Sequence, residues 1–318
     1  MCIRDSSFNF ILNKNYGERK MVTIEETLKG SDVDSALSVG PYLIYAEVLE
    51  GARRPLAFLE AAGEDTSLIG KAGNTIKFLK ASQLSATHVT EASMIGSGMS
   101  AGDKTMSAVS VSVTGVIYSA VELSDILMED YPNIDWVRLH LRNMGKAVME
   151  YLDADTKDVI QAASGTATKS CSDLTYDVVI DAMAALENNN FVADPRNPPF
   201  LIASPDAVAG LMKDTKFVTS ERYTAYEISR MVEGEAGHFA GCRVLKSSLL
   251  DGTGHAYIIF PSDAGYGPIV TVVWKRRLTV KNDYIATKGY TYFVTTIRAK
   301  AVVVQPEGIC KISITNSP

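Results

Sequence analysis

His238, Cys242 and His255 carry side chains that could bind a soft metal and lie close together in the chain. A structural zinc site takes four ligands, usually as two closely spaced pairs. Here there is no such pair and no evident fourth ligand, so chance proximity is the better reading. His88 and Glu91 could pass a proton between them, but no nucleophile accompanies them and their surroundings are polar and glycine-bearing. Gly96-Ser97-Gly98 lacks the further glycines and the Lys-Ser/Thr pair of a phosphate loop. A strand pattern, not a helix, follows it, which also excludes a nucleophile elbow. Asp153, Asp155 and Asp158 could form a carboxylate cluster. However, Lys157 lies four residues after Asp153, so a solvated helix face with an ion pair is expected. The densest basic stretch is Lys275, Arg276 and Arg277, with Lys281 nearby. It reads as a solvated strand edge, a contact with an acidic partner, or a phosphate contact, and these remain open. No catalytic, cofactor or metal set emerges.

The elements that would carry these residues are of mixed type. Residues 42–62 can form a helix, with Leu43, Tyr45, Val48 and Leu49 apolar before Pro55 interrupts it. Residues 74–80 read as a strand with Ile76 and Phe78 on one face. Val109, Val111 and Val113 then alternate with Ser110, Ser112 and Thr114, a half-buried strand. Between these strands, from Ser82 to Gly102, the only formal charge is Glu91, and small polar residues and three glycines dominate. A loop this long usually reaches out to something.

Residues 133–163 make the clearest helix, capped by Asn133. Val137, Leu141, Met144, Val148, Tyr151 and Val159 recur at helical spacing. A helix from Thr175 carries Val179, Ala182, Met183 and Leu186 on one side. Phe200 to Ala203 reads as a buried strand. Ser204-Pro205 reads as a cap and first turn for a helix to Lys213. Strands are expected at Tyr257–Phe260, Ile269–Trp274, Leu278–Lys281 and Tyr290–Lys300, with Val302–Val304, Ile312 and Ile314 closing the pattern. The class is α+β.

Composition sets bounds. The hydrophobic fraction is 46% and the charged fraction 21%, as in packed globular chains. The net charge of −6 argues against coating nucleic acid with the whole surface. Cys2, Cys171, Cys242 and Cys310 are scattered, which is not a disulfide framework and suits a reducing compartment. No apolar run is long enough for a transmembrane helix, so no membrane partner is expected. Met1 to Ser6 resembles translated sequencing adapter, and Met21 is an alternative start.

Several segments, in their order, resemble the HK97-type major capsid proteins of tailed double-stranded DNA viruses. Asn74 to Lys80, Val89-Thr90-Glu91-Ala92, Val109 to Val113 and Ala120 to Asp125 look like the two arms of that family's extended loop. Tyr151-Leu152-Asp153-Ala154-Asp155 resembles the end of its spine helix. Leu201 to Pro205 and Gly241 to Ser248 resemble steps in its axial domain. The likeness covers roughly residues 41–310.

The resemblance implies an HK97-like capsid fold. It divides the chain into an N-terminal arm (1–41), an N-terminal helix region (42–73) and an extended-loop hairpin (74–121). A peripheral domain with the spine helix (122–172), an axial domain (173–268) and strands returning to the peripheral domain (269–318) follow. It also implies a non-enzymatic subunit whose hexamers and pentamers close an icosahedral shell around packaged DNA, in a virion assembled in the host cytoplasm. The partners implied are other copies of the chain, a separate scaffolding protein, a portal, and DNA bound on the inner face without sequence specificity. Only about forty residues precede the first helix, which is why scaffolding is expected from a separate protein. Val89, Glu91, Met94, Ile95 and Met99 in the loop, Lys104 at its base, and Lys275, Arg276 and Arg277 are the residues expected at contacts between subunits. One family member cross-links lysine to asparagine, but no acceptor motif accompanies Lys104. An encapsulin-type shell around enzyme cargo is the runner-up, and an α+β enzyme the third reading.

Overall fold

The computed structural model describes residues 41–315, apart from 53–55, 82–105, 131–133, 190, 192–196, 214–237, 240 and 264–266. The expected first helix is two: α1 (Pro41–Ala52) and α2 (Ala57–Ala61), on either side of the proline. α3 (Asp125–Asp130) is short. The long helix, α4, runs from Ile134 to Ala162. Its 29 residues span roughly 43 Å at helical rise.

Val137, Leu141, Met144, Val148, Leu152 and Ile160 are its buried stripe. Tyr151, expected on that stripe, is instead 62% exposed. The run 141, 144, 148 continues by a step of four to Leu152, and Tyr151 sits about 100° away around the helix.

Among the described residues the main sheets have four and six strands, and β10 (Ser262–Asp263) pairs with β11 (Gly267–Pro268) in a small ladder. The first orders β1 (Gly63–Asp65), β12 (Val270–Ile285), β13 (Tyr290–Val303) and β4 (Ile117–Ser124). β12 joins the two separate strands expected at 269–274 and 278–281. Register shifts on either side of Arg276 mark the irregularity that interrupts the alternation. The sheet packs on α4 through Val272, Trp274, Ile297, Ala299 and Ala301 against Val148 and Leu152.

The six-stranded sheet orders β5 (Ala167–Cys171), β14 (Ile309–Ile314), β9 (His255–Ile259), β6 (Phe200–Ala203), β8 (Cys242–Lys246) and β7 (His238–Phe239). α5 (Tyr176–Glu187) and α6 (Pro205–Lys213) bury Val179, Ala182, Met183, Leu186, Val208 and Leu211 in the same core. Ser204 caps α6 as expected: the amide of Ala207 donates to its Oγ at 3.2 Å. Ile160 brings the end of α4 into this core, so one helix serves both sheets.

Two strand pairings cross the expected divisions. The expected division puts β5 and β14 beside the long helix, outside the 173–268 segment. Yet β14 pairs with both β5 and β9, so both strands lie in the six-stranded sheet. Residues 117–121 are expected in the loop hairpin, but β4 pairs along its whole length with β13. A strand's sheet is set by its backbone partners, and alternation along one strand does not name them.

Candidate functional site

The hairpin of β2 (Thr75–Ala81) and β3 (Met106–Ser112) is antiparallel and in continuous register, from Thr75 opposite Ser112 to Ala81 opposite Met106. The hydroxyls of Thr75 and Ser112 lie 2.7 Å apart at its root. Ile76, Phe78, Val111 and Val113 pack with Leu68, Val273 and Val302, which fastens the hairpin to the four-stranded sheet. Leu79, nearer the loop, is 67% exposed. The loop that this hairpin carries, with Val89, Glu91, Met94, Ile95, Met99 and Lys104, lies outside the described residues, as do His88 and Gly96-Ser97-Gly98.

The basic stretch divides by role. The Lys275 ammonium donates to the carbonyl of Leu68 at 3.2 Å and also to that of Lys71. Arg277 donates to Glu64 at 2.9 Å, and its guanidinium lies over the Trp274 ring. Both therefore brace their own subunit. Arg276 is exposed and donates to the Thr296 hydroxyl at 3.0 Å.

The metal-like trio is not assembled. His255 lies on β9, with β6 between it and the β8 strand of Cys242. The Cys242 thiol is buried, donates to Met183 Sδ at 3.3 Å, and is pushed up to about 12 by burial. Burial, then the nearby Lys311, lowers the His255 pKa. Among the described residues no group of three or more His, Cys, Asp or Glu could hold a metal ion. Nor is any described helix long and apolar enough to cross a membrane.

The aspartates of α4 correct a further expectation. Asp153 is not on a solvated face and does not pair with Lys157. Its carboxylate is buried and accepts the amides of Phe58 at 3.0 Å and Leu59 at 2.9 Å, the open first turn of α2. Lys157 pairs with Asp158 at 3.0 Å, and Asp155 with Lys300 at 2.8 Å. A cleft of about 480 Å³ adjoins Asp153, between Glu150 and the Lys246–Leu249 turn. Burial, the largest cause, and Glu150 raise the Asp153 pKa against the lowering effect of the two amides.

Asp153→Asn keeps an acceptor and removes the buried charge, so its melting temperature at neutral pH should equal or exceed the parent's. Asp153→Ala leaves two amides unpaired and should cost about 1–3 kcal/mol. A carboxyl titrating higher in the folded state adds stability below its unfolded pKa and loses it as pH rises through the folded value. The parent should therefore gain on Asp153→Asn as pH falls towards about 4. Thermal melts across pH check both; equal stability of the two variants would mean water replaces the carboxylate.

Sequence reading missed the joint between α1 and α4. Glu47, nearly buried, accepts from Arg142 at 2.7 Å, and Arg138 lies 3.6 Å away. Beside this pair the backbones touch at two glycines. A Cβ on Gly145 would lie 2.0 Å from the Val48 carbonyl oxygen, and one on Gly51 2.0 Å from that of Arg142. Glycines inside helical patterns were the available signal, since they cost about 1 kcal/mol against alanine.

A family model described as phage capsid protein matches residues 116–312, which include β4, α4 and most of both sheets. No curated protein matches the chain. Among solved structures, the capsid of cyanophage P-SCSP1u is similar, with a TM-score of 0.64 at 13% identity over 92% of this chain and 94% of that one. The capsid of Ralstonia phage GP4 has a TM-score of 0.64 at 9% identity, over 93% and 98%. The holo-SrpI encapsulin complex of Synechococcus elongatus PCC 7942 is similar at 0.55 and 12% identity, over 82% and 87%. These likenesses place the chain in the HK97-like fold.

Proposed function

Because the chain belongs to the phage capsid protein family, we propose that it is the major capsid subunit whose hexamers and pentamers close an icosahedral shell around double-stranded DNA. The observation that carries this reading is the extent of the family match, which takes in the long helix and strands of both main sheets. Such a protein works through repeated contacts: each is weak, and closed symmetry multiplies them. Its role is structural. DNA would meet the inner face without sequence specificity. A separate scaffolding protein and a portal would guide assembly in the host cytoplasm. Within the subunit, residues 173–268 with β5 and β14 would form the axial domain, and the four-stranded sheet with α4 the peripheral one.

The loop carried by β2 and β3 would be the clasp, with Val89, Glu91, Met94, Ile95, Met99 and Lys104 meeting a neighbouring copy. An encapsulin-type shell has a smaller claim, from the structural likeness to the cyanobacterial encapsulin. Sedimentation of the purified chain at micromolar concentration, across a range of salts and with or without scaffolding protein, should give rings or closed particles. A monomer under every condition would overturn the assembly reading. Nucleic acid inside particles made in infected cells would favour the viral reading, and enzyme cargo the other.

A further inference from the structure

Among the described residues the four-stranded sheet is three strands wide at its far end. β1 pairs with Thr271–Val273 alone, so beyond that point the outer edge of β12 has no partner strand among the described residues. β4 is the opposite edge. The register sets Lys281 opposite Val294 and Val294 opposite Ala120, so the two edges lie about 10 Å apart. One face here is covered: Phe293, Thr295, Ile297 and Ala299 are buried on the α4 side. The other face carries the alternate residues, which are half-buried along β13 and exposed on the flanking strands at Arg276, Lys281, Tyr118 and Glu122.

On that face charge is sorted by edge. Arg276 stands directly opposite Arg298, with Lys281 further along β12. Like charges facing each other across strands are destabilising. Arg298 donates to the Val113 carbonyl at 3.0 Å, but its Nε is buried with no hydrogen-bond partner among the described residues. Asp283, nearer the turn, is the one carboxylate on this part of β12. The β4 edge is of opposite sign. Glu122 is exposed on the same face, and Glu129 is exposed on α3, which follows directly. Tyr118 and Ile126 beside them are 68% and 72% exposed. Neither proline nor lysine blunts β4, although long exposed edges normally carry such protection.

We propose that the β12 side of this sheet, Arg276 with Arg298 and Lys281, receives the β4–α3 edge of a second copy through Glu122 and Glu129. The inference rests on the assembly reading above and names one contact within it. Basic and acidic edges belong to the same sheet, so the contact is head-to-tail. A contact of that kind repeats until a ring closes. Tyr118 and Ile126 are covered at the junction, and the facing arginines gain carboxylates.

Three full-length variants test this: Arg276→Glu with Lys281→Glu, Glu122→Lys with Glu129→Lys, and all four changes together. The first should hold or raise the melting temperature of the unassembled subunit, because a carboxylate at position 276 would face Arg298. It should still assemble at least roughly tenfold less well at low salt, since like charges then meet at the junction. The second should also assemble poorly. The fourfold variant should recover assembly to within about fivefold of the parent, because carboxylates at positions 276 and 281 then meet ammonium groups at 122 and 129, while Arg298 keeps its sign. If a reversal prevents folding, the glutamine versions at the same positions replace it, with a smaller loss expected from each pair. Parental assembly by either reversal, or no recovery in the fourfold variant, would overturn the contact while leaving the capsid reading intact. So would a basic-edge variant that builds normal shells but retains less DNA, which would give these residues to phosphate. A parent chain that never assembles would bring down the capsid reading itself.

Discussion

With residues 82–105 replaced by Asn-Gly, the chain should melt within about two degrees of the parent yet form no normal shells. The register makes the excision clean. Ala81 and Met106 are the outermost described pair of the hairpin, and two residues suffice to join antiparallel partners. The hairpin root would stay anchored by Ile76, Phe78, Val111 and Val113 on Leu68 and Val273. The excised stretch has little with which to build a core, since small polar residues surround Val89, Met94, Ile95 and Met99. Against a neighbour the same side chains could each contribute roughly 1.5–3 kcal/mol if fully buried, repeated at every subunit. A thermal melt and an assembly assay on one preparation decide the matter. Normal shells from the shortened chain would end the clasp proposal, and a chain that fails to fold would put the loop in the core.

Gly145→Ala should destabilise the subunit by about 1–3 kcal/mol, although helix propensity alone predicts a gain of up to about 1 kcal/mol. The new methyl would meet the Val48 carbonyl oxygen at 2.0 Å, and a carbonyl in the middle of α1 has no freedom to swing away. α1 must lift from α4, which loosens fully buried Val48 and the ion pair of Glu47 with Arg142. Gly51→Ala should act in the same direction, because its methyl would meet the Arg142 carbonyl oxygen on the opposite side of the crossing. Combining the two should cost less than the sum, since the first displacement already relieves the second clash. Chemical denaturation of the unassembled subunit measures this. A Gly145→Ala variant more stable than the parent would show that the helices have room to part.

Much of the fold was legible because it rests on local periodicity. The Val137-to-Val148 spacing marks α4, the Ser204-Pro205 step marks α6, and the alternation from Thr291 to Ile297 marks β13. Tyr151 falls off the expected stripe because its neighbour Leu152 is equally apolar, and periodicity resolves a face only to about one residue. Of the proposed contact residues, Lys275 and Arg277 were recognisable as a charge cluster but not as braces. Their partners, Leu68, Lys71 and Glu64, lie some two hundred positions away in the chain.

By itself, then, the sequence determined the long helix, the helices after Thr175 and Ser204, the strongly alternating strands with their apolar faces, and the α+β class. Those properties follow from side chains within a few residues of one another. The tertiary structure alone decided that β14 lies beside β5 and β9, that Asp153 closes the first turn of α2, and that Gly51 and Gly145 let two helices touch. It also set Arg276 opposite Arg298, with acidic β4 one strand further on. Each of these joins residues far apart in the chain. A backbone hydrogen bond or a helix crossing is chosen by the whole packed core, and no local pattern carries that choice.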